Sequence, residues 1–539
     1  MKLYFITSNR AKLANAKHIC KDYDIAIVPH KKLFYGYGYQ EPRIQFREQL
    51  LESSIESAIR RWEKYVHGRA NDSFFFIEDT SVRIAALSNE NEEVPGVDVK
   101  YWMEDMTFDK LDALLKERGN DRSARVMSHV ILYIPPQVRK QIGKDNEYIR
   151  FTSHTDGIIS EKEHEIQTNI LYPWLDNKTF NKWFVPNGES MPMSLLDIAS
   201  ADRCDFRRGA FEQMIHFLQD YKLLKPKRGD INIISPKLFS KRLLFCGETC
   251  AGKSTAGRYL LEKYGLYHIE ASDFMGVIYH ETCGKDTTIN KHDFASRLLK
   301  AEPTVIAEQV VQYIMSKGLE DSFVVTGFRN NEEIDYFVKN FAILDEYSFY
   351  IESSEGVRFD RWVRRRRDPH AVYSREEFAR INDVQSGMGV CEIKNRKGIQ
   401  IIKNDFKNHK SYYDALDNVV SDIDTIYEEK VADRIKHFQN TKQLSLEKCI
   451  LLTLAFEYLT DENIYFTTAQ IAKKINALFP SIERKKNKNN VSRYFNMSLY
   501  PYYELSTREE KIVYKLSPLG YSEALLMLKH LENKKIGIK

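Results

Sequence analysis

The chain has 539 residues, 43% of them hydrophobic and 29% charged, with a formal net charge of +4. That length exceeds what one core serves and calls for about three domains, each burying its own apolar surface. No apolar run reaches the ~18 residues of a membrane span, and the start MKLYFITSN reads as a strand rather than a signal peptide, so a membrane protein is excluded and a cytoplasmic one is expected.

Cys20, Cys204, Cys246, Cys250, Cys283, Cys391 and Cys449 have no paired spacing, which argues against a disulfide framework or a zinc site. The charge is uneven, with 18 Lys and Arg against 11 Asp and Glu in residues 431–539. Only that terminal part is basic. Two stretches read as joints: KLLKPKRGDINIISPKLFSKR (222–242), rich in Lys, Pro and Gly, and a polar stretch around 425–445. The expected organisation is 1–222, a linker over 223–241, 242–425, and 440–539, all of α/β character except the small last domain.

In chain order, KLYFITSNRAKLANAKHIC reads as a strand that ends in Thr7, Ser8 and Asn9 and turns into a helix. Free N–H groups and the helix dipole at such a junction favour phosphate, and Lys12 adds a charge one turn in. The same residues also serve as ordinary helix caps. SFFFIEDTSVRIAAL follows, a buried strand expected to end at Glu78 and Asp79. Paired carboxylates there suit Mg²⁺, or are exposed loop acids.

These stretches, with VPGV (94–97), DRSARVMSHVILYI (121–134), SHTDGIIS (153–160) and WFVPNGESMPMSLLD (183–197), resemble the inosine triphosphate pyrophosphatase family over nearly all of residues 1–220. The resemblance implies a two-lobed α/β fold with a nucleotide cleft between the lobes. It implies hydrolysis of non-canonical purine triphosphates (inosine, deoxyinosine or xanthosine type) to monophosphate and pyrophosphate with Mg²⁺, and a homodimer formed through this domain. Thr7, Ser8, Asn9 and Lys12 would hold the triphosphate, while Glu78 and Asp79 would serve metal and water activation. Glu41 in YQEPRIQ would be the upstream metal carboxylate.

The base-reading end departs from the family pattern. Phe180 and Asn181 stand where an aromatic precedes Asp. ADRCDFRRGAF (201–211) carries Ala201-Asp202 in place of Lys-Asn, and Asp205-Phe206-Arg207 in place of Ser-His-Arg. Of the residues expected in that last stretch, only Arg207 is kept.

RLLFCGETCAGKSTAGRYLLEKYG contains G-x-x-x-x-G-K-S between an apolar strand and an amphipathic helix. In that context it is a P-loop: the amides between Gly247 and Gly252 cradle phosphates, Lys253 reaches the β and γ groups, Ser254 binds Mg²⁺, and Thr255 opens the helix. ATP is the expected ligand. With YHIEASDFM, SFVVTGFRNNEEIDYF, the arginine-rich SFYIESSEGVRFDRWVRRRRDPHAV and GIQIIKNDFKNHK, the series resembles the nucleoside monophosphate kinase and dephospho-coenzyme A kinase group. The resemblance makes Asp273 a site carboxylate, Arg329 the acceptor-phosphate residue, and Arg361, Arg364, Arg365, Arg366 and Arg367 the lid. A solvated or RNA-binding helix is the other reading of the arginine run. Thr326 occupies the place of an Asp that helps hold the metal in this group.

LEKCILLTLAFEYLT and TTAQIAKKINALF read as amphipathic helices, RKKNKNNVSRYFNMSL as a basic turn into a third, and YYELSTREEKIVYKLSPLG as a hairpin. The order resembles a winged helix, with Lys485, Lys486, Lys488, Arg493 and Lys511 as contacts to DNA or to a protein partner. Two functions are therefore expected to compete: a pyrophosphatase joined to an ATP-binding kinase-like domain, or a weakened sensor of, for example, deoxyinosine triphosphate. The sensor would control an effector such as a sirtuin-like NADase in anti-phage defence.

Overall fold

The computed structural model describes residues 1–7, 9–23, 25–29, 47–66, 73–90, 92–169, 171–224, 241–283, 289–341, 343, 347–365, 373–406, 408–421, 429–495, 501–508 and 511–535. They fall into two compact units, Met1–Asp230 and Ile231–Lys539. Ser8, Glu41, Arg366, Arg367 and most of the expected linker lie outside the described residues.

In the first unit, strands β1 (Lys2–Phe5), β2 (Ala26–Pro29), β3 (Phe74–Ile84), β4 (Pro95–Gly96), β5 (Ser123–Tyr133), β6 (Tyr148–Ile159) and β7 (Phe184–Pro186) form one sheet. Its order is β2-β1-β3-β5-β6-β7, with β4 paired to β3. β2, β1 and β3 run parallel, and the rest of the sheet is antiparallel. The helices are α1 (Arg10–Cys20), α2 (Arg47–Val66), α3 (Val99–Asp105), α4 (Phe108–Glu117), α5 (Pro136–Ile142), α6 (Ile198–Arg203) and α7 (Arg208–Asp220).

Alternation along β3 and β5 assigns the faces. Phe74, Phe76, Val130 and Leu132 pack with Ala16 and Ile19 of α1 and Phe211, Met214 and Ile215 of α7. Phe75, Ile77, Ile131 and Tyr133 pack on the other face against Leu51, Ile55, Ile59 and Trp62 of α2. β3 does not end at Glu78 and Asp79 as expected. Val82 and Ile84 carry the alternation into a further cluster with Val126, Phe184 and Trp183, and the ladder with β5 continues to Ile84. What does end there is β1, whose pairing with β3 stops at Phe76, apart from one bond from Ile6 N–H.

In the second unit, β8 (Arg242–Cys246), β9 (Tyr267–Glu270), β10 (Phe323–Thr326), β11 (Ser348–Glu352) and β12 (Gln400–Lys403) form a parallel sheet of order β12-β11-β8-β10-β9. Its helices are α8 (Lys253–Tyr264), α9 (Ala271–Cys283), α10 (Lys291–Ala301), α11 (Val305–Lys317), α12 (Asn331–Phe341), α13 (Glu355–Arg365), α14 (Arg375–Ser386) and α15 (His409–Val419). The terminal block follows: α16 (Val431–Lys436), α17 (Leu446–Tyr458), α18 (Thr468–Leu478), α19 (Lys488–Phe495), the hairpin β13 (Tyr503–Arg508) and β14 (Lys511–Leu516), and α20 (Pro518–Lys535). Thr467 and Gln470 form a capping box on α18.

The terminal block shares its compact unit with the parallel sheet because α20 covers the edge strand β9. Ser522 Oγ donates to the His268 carbonyl at 2.7 Å, Tyr521 Oη to Glu262 at 2.8 Å, and Tyr267 Oη to Glu523 at 3.0 Å. Lys317 pairs with Glu523 at 2.8 Å. Covering an edge strand in this way removes its open backbone groups from solvent.

Candidate functional sites

At the N-terminal site, the loop after β1 leads into α1, whose Asn9 cap accepts from the N–H groups of Ala11 and Lys12 at 2.9 and 3.2 Å. Thr7 Oγ1 accepts from Asn9 N–H at 3.1 Å. Lys12 reaches past the end of β1 to β3: its Nζ lies 3.2 Å from Glu78 Oε2 and 3.4 Å from Asp79 Oδ1, and donates to the Glu78 carbonyl at 3.0 Å. Being adjacent in a strand, the two carboxylates leave from opposite faces, and Lys12 straddles them at the edge.

Glu78 is fully buried at its side chain. Its Oε1 accepts from Thr80 Oγ1 (2.8 Å), Ser128 Oγ (2.9 Å) and Arg207 Nε (3.1 Å). Burial pushes the carboxyl up, but Lys12, Arg207 and the two hydroxyls together outweigh it and hold it down at about 2. Its Oε2 faces the Lys12 ammonium yet makes no hydrogen bond among the described residues. This oxygen, ion-paired with the Lys12 ammonium, and the neighbouring Asp79 carboxylate are hard anionic donors of the kind a divalent cation takes. Among the described residues no group of three or more His, Cys, Asp and Glu side chains is arranged to hold a metal.

The segment 201–211 clamps α1 to the sheet. Asp202 meets His18 at 2.9 Å and Arg208 at 3.1 Å, and Asp205 accepts from Asn15 Nδ2 at 2.6 Å. Burial raises the Asp205 carboxyl against the opposing pull of Arg207 and Asn15. Arg207 alone turns to the site, donating to Glu78 and, at 2.9 Å, to Thr80 Oγ1.

The residues expected to read a base are not at an open surface. Phe180 packs in the core with Trp102 and Phe184, and Asn181 donates to the Trp174 carbonyl at 2.8 Å. Ala201 is fully buried, and Phe206 is buried beneath the Arg207 guanidinium, 4.4 Å from its ring centroid. Phe206→Ala is expected to cost about 3–5 kcal/mol, a typical value for emptying a core aromatic site. Ala201→Lys is expected to destabilise the unit too, since it places an ammonium in an apolar cluster. Urea melts of the two variants check this.

At the second site, Gly247 (φ +138) and Gly252 (φ +115) hold backbone conformations that a side chain disfavours, and an added Cβ would strike the Ile351 carbonyl and the Asn404 amide respectively. The loop carbonyls are taken up by protein donors. Lys253 Nζ donates to Gly247 and Glu248 (2.6 and 2.7 Å), Asn404 Nδ2 to Ala251 (2.7 Å), Tyr412 Oη to Gly252 (3.1 Å), and Arg361 to Cys250 and Ala251 (both 3.3 Å). Of the loop amides, Thr249 N–H donates to Gln385 Oε1 at 3.1 Å and Ala251 N–H to the Glu248 carbonyl at 3.3 Å. Burial lowers the Lys253 ammonium, with Glu270 opposing.

Ser254 Oγ donates to Glu270 Oε2 at 2.7 Å, and Thr326 Oγ1 donates to the same oxygen at 3.0 Å. Burial raises the Glu270 carboxyl, but His268, Ser254, Lys253 and Thr326 bring it to about 2. Glu270 thus places a carboxylate beside Ser254 and Thr326 at the end of β9. Asp273 does not reach this site. It lies in the first turn of α9, and its Oδ2 accepts from Leu519 N–H in the first turn of α20.

A cavity of about 910 Å³ opens over the loop, lined among others by Lys253, Ser254, Thr255, Glu270, His292 and Arg329. The expected lid arginines do different things. Arg361 is bound to the P-loop and to the Asn404 carbonyl (2.8 Å), so it braces the loop. Arg364 lines the cavity, exposed, and Arg365 lines it while pairing with Glu462 at 2.9 Å. Arg329 lines it from the end of β10, with its Nη1 3.7 Å from Met388 Sδ.

Sequence reasoning missed Glu270 and Arg358. The latter is buried and pairs with Glu248 at 2.8 Å. An acid ending the short apolar strand that follows the P-loop helix in the chain is the signal that would have found Glu270; Arg358 was hidden in its arginine-rich helix.

In the terminal block, Lys485, Lys488, Arg493 and Lys511 are exposed and Lys486 is half-buried. The Lys485 ammonium donates to the Pro480 carbonyl at 2.7 Å. No helix among the described residues is long and apolar enough to cross a membrane.

The two units are thus an α/β domain with a cation-bridged carboxylate site, and a parallel α/β domain built around a phosphate loop. Residues 3–217 match the model of the Ham1 family, so the N-terminal region is Ham1-like. Solved structures similar to this chain include the Ham1 protein of Staphylococcus aureus and a HAM1 protein from Coxiella burnetii. Each is 18% identical and covers 41% of this chain and 99% of its own, with TM-scores of 0.29 and 0.30. A nucleoside-triphosphatase described as a dITP/XTP pyrophosphatase, from Mycobacterium abscessus, is 18% identical over 40% of this chain and 99% of its own, with a TM-score of 0.27.

Proposed function

We propose that the N-terminal unit hydrolyses non-canonical purine nucleoside triphosphates to monophosphate and pyrophosphate, and that the second unit binds ATP at its P-loop. The observation that carries the first reading is the convergence of Lys12 and Arg207 on buried Glu78 beside the N-terminus of α1. Two fixed cations keep this carboxylate ionised where a helix start favours phosphate. Glu78 and Asp79 would hold Mg²⁺, which would supply charge neutralisation for the triphosphate and a polarised water. In the second unit Ser254 and Glu270 would hold Mg²⁺ with ATP, and Arg329 and Arg364 would face its phosphates.

Pyrophosphate release from deoxyinosine, inosine and xanthosine triphosphates with Mg²⁺, against ATP and GTP as references, tests the first reading. Release from the three non-canonical substrates with little from the references is expected. No release from any of them overturns it.

A second reading, a sensor with weak turnover, is favoured by the burial of Phe180, Asn181, Ala201 and Phe206 at the expected base-reading end. It predicts tight deoxyinosine triphosphate binding with slow release of pyrophosphate, which the same assay combined with calorimetry separates from the first. The exposed Lys485, Lys488, Arg493 and Lys511 would then meet a protein effector or DNA.

A further inference from the structure

The P-loop cavity is not walled by the parallel-sheet domain alone. Glu462 and Asn463, in the turn between α17 and α18 of the terminal block, line it as well. Glu462 holds two arginines of the nucleotide domain: Arg365 at the end of α13, at 2.9 Å, and Arg258 of α8, at 3.6 Å. Asn463 Nδ2 donates to the Arg365 carbonyl at 2.9 Å, so the same turn grips both the side chain and the backbone of the helix end. Asn463 Oδ1 is buried and makes no hydrogen bond among the described residues.

Glu462 is one-third exposed, and its carboxylate lies where a polyanion in the cavity would compete for Arg365. Phosphate oxygens are strong acceptors for a guanidinium, and a triphosphate carries more charge than one carboxylate.

We propose that Glu462 is an affinity-setting residue of the P-loop site, an internal anion that a nucleoside triphosphate displaces from Arg365. Triphosphate binding and the grip of the terminal block on α13 are thereby coupled. This rests on the reading of the P-loop as a nucleotide site. Coupling of this kind is reciprocal: whatever loosens the Glu462 contact tightens the nucleotide, and the nucleotide loosens the contact by the same factor.

The test uses the full chain, with Mg·ATP as the probe and AMP as a control lacking the β and γ phosphates, by calorimetry. Wild-type protein is expected to bind Mg·ATP and Lys253→Ala to lose it. If wild type binds no ATP, the P-loop reading itself fails. Given binding, Glu462→Gln is expected to bind Mg·ATP about fivefold tighter, with AMP affinity changed less than twofold and the gain absent in the Arg365→Gln background. A gain under twofold, a weakening, or a gain that survives Arg365→Gln overturns the inference while leaving the P-loop reading intact. Should Glu462→Gln fail to fold, hydrogen exchange of wild type decides. Mg·ATP is expected to accelerate exchange in the segment 460–466, and unchanged or slowed exchange there overturns the inference.

Discussion

Glu78→Gln is expected to reduce pyrophosphate release by about 100-fold or more, the scale on which a positioned carboxylate contributes to proton transfer or to charge placement. The substitution keeps the shape of the side chain and its neighbours Thr80 and Ser128 but removes the charge that Lys12 and Arg207 converge on. Two cations are then left facing a neutral amide in a buried setting. Breaking a buried pair from one side is costly, and a carboxyl displaced from about 4.5 to about 2 corresponds to about 3 kcal/mol.

The sign of the pH dependence follows from the direction of that shift. The folded-state value lies below the unfolded one, so the stabilisation is complete above the ordinary carboxylate range and is lost as pH falls toward about 2. Thermal melts are therefore expected to show wild type well above Glu78→Gln at about pH 6, with the gap closing as pH is lowered to about 3. A gap of the same size at both ends would mean that packing, not charge, separates the two proteins.

How legible this was in the sequence differs between the sites. The P-loop declares itself within eight residues, because the two positive-φ glycines and Lys253, which donates to the loop's own carbonyls, stand at a fixed local spacing. The N-terminal site is assembled across the sheet: Lys12 meets a carboxylate 66 positions on, and Arg207 one 129 positions back. A sequence shows each member, but no spacing rule couples them. Only the resemblance to a pyrophosphatase brought them together.

Arg207 illustrates the limit. It is one of two adjacent arginines, yet Arg207 is buried on Glu78 while Arg208 pairs with Asp202. Asp273 illustrates the opposite error. A lone acid after an apolar strand has the pattern of a site residue, and what decided its role was a long-range contact, the N-terminus of a helix 246 residues away. Whether Ala201 and Phe206 open or fill a base pocket is likewise a question of packing volume, which residue type alone does not answer.

Glu270→Gln is expected to separate metal-dependent from metal-independent ATP binding in the second unit. In the structure this carboxylate receives the hydroxyls of both Ser254 and Thr326, and Lys253 lies close enough to help keep it ionised. If Glu270 helps hold Mg²⁺ with Ser254, neutralising it removes a hard oxygen donor and weakens Mg·ATP by about tenfold or more, while ATP in chelator, relieved of a nearby negative charge, binds as well as or better than to wild type. Lys253→Ala behaves differently, because the ammonium meets phosphate directly: both forms of ATP are expected to weaken by about 30-fold or more, on the scale of truncating one partner of a desolvated charge pair. Parallel titrations with excess Mg²⁺ and with chelator measure both. An equal loss in the two media for Glu270→Gln would make Glu270 a brace of the loop rather than a metal residue. The phosphate loop would then lack a metal carboxylate at the ends of both β9 and β10, since Thr326 occupies the other position.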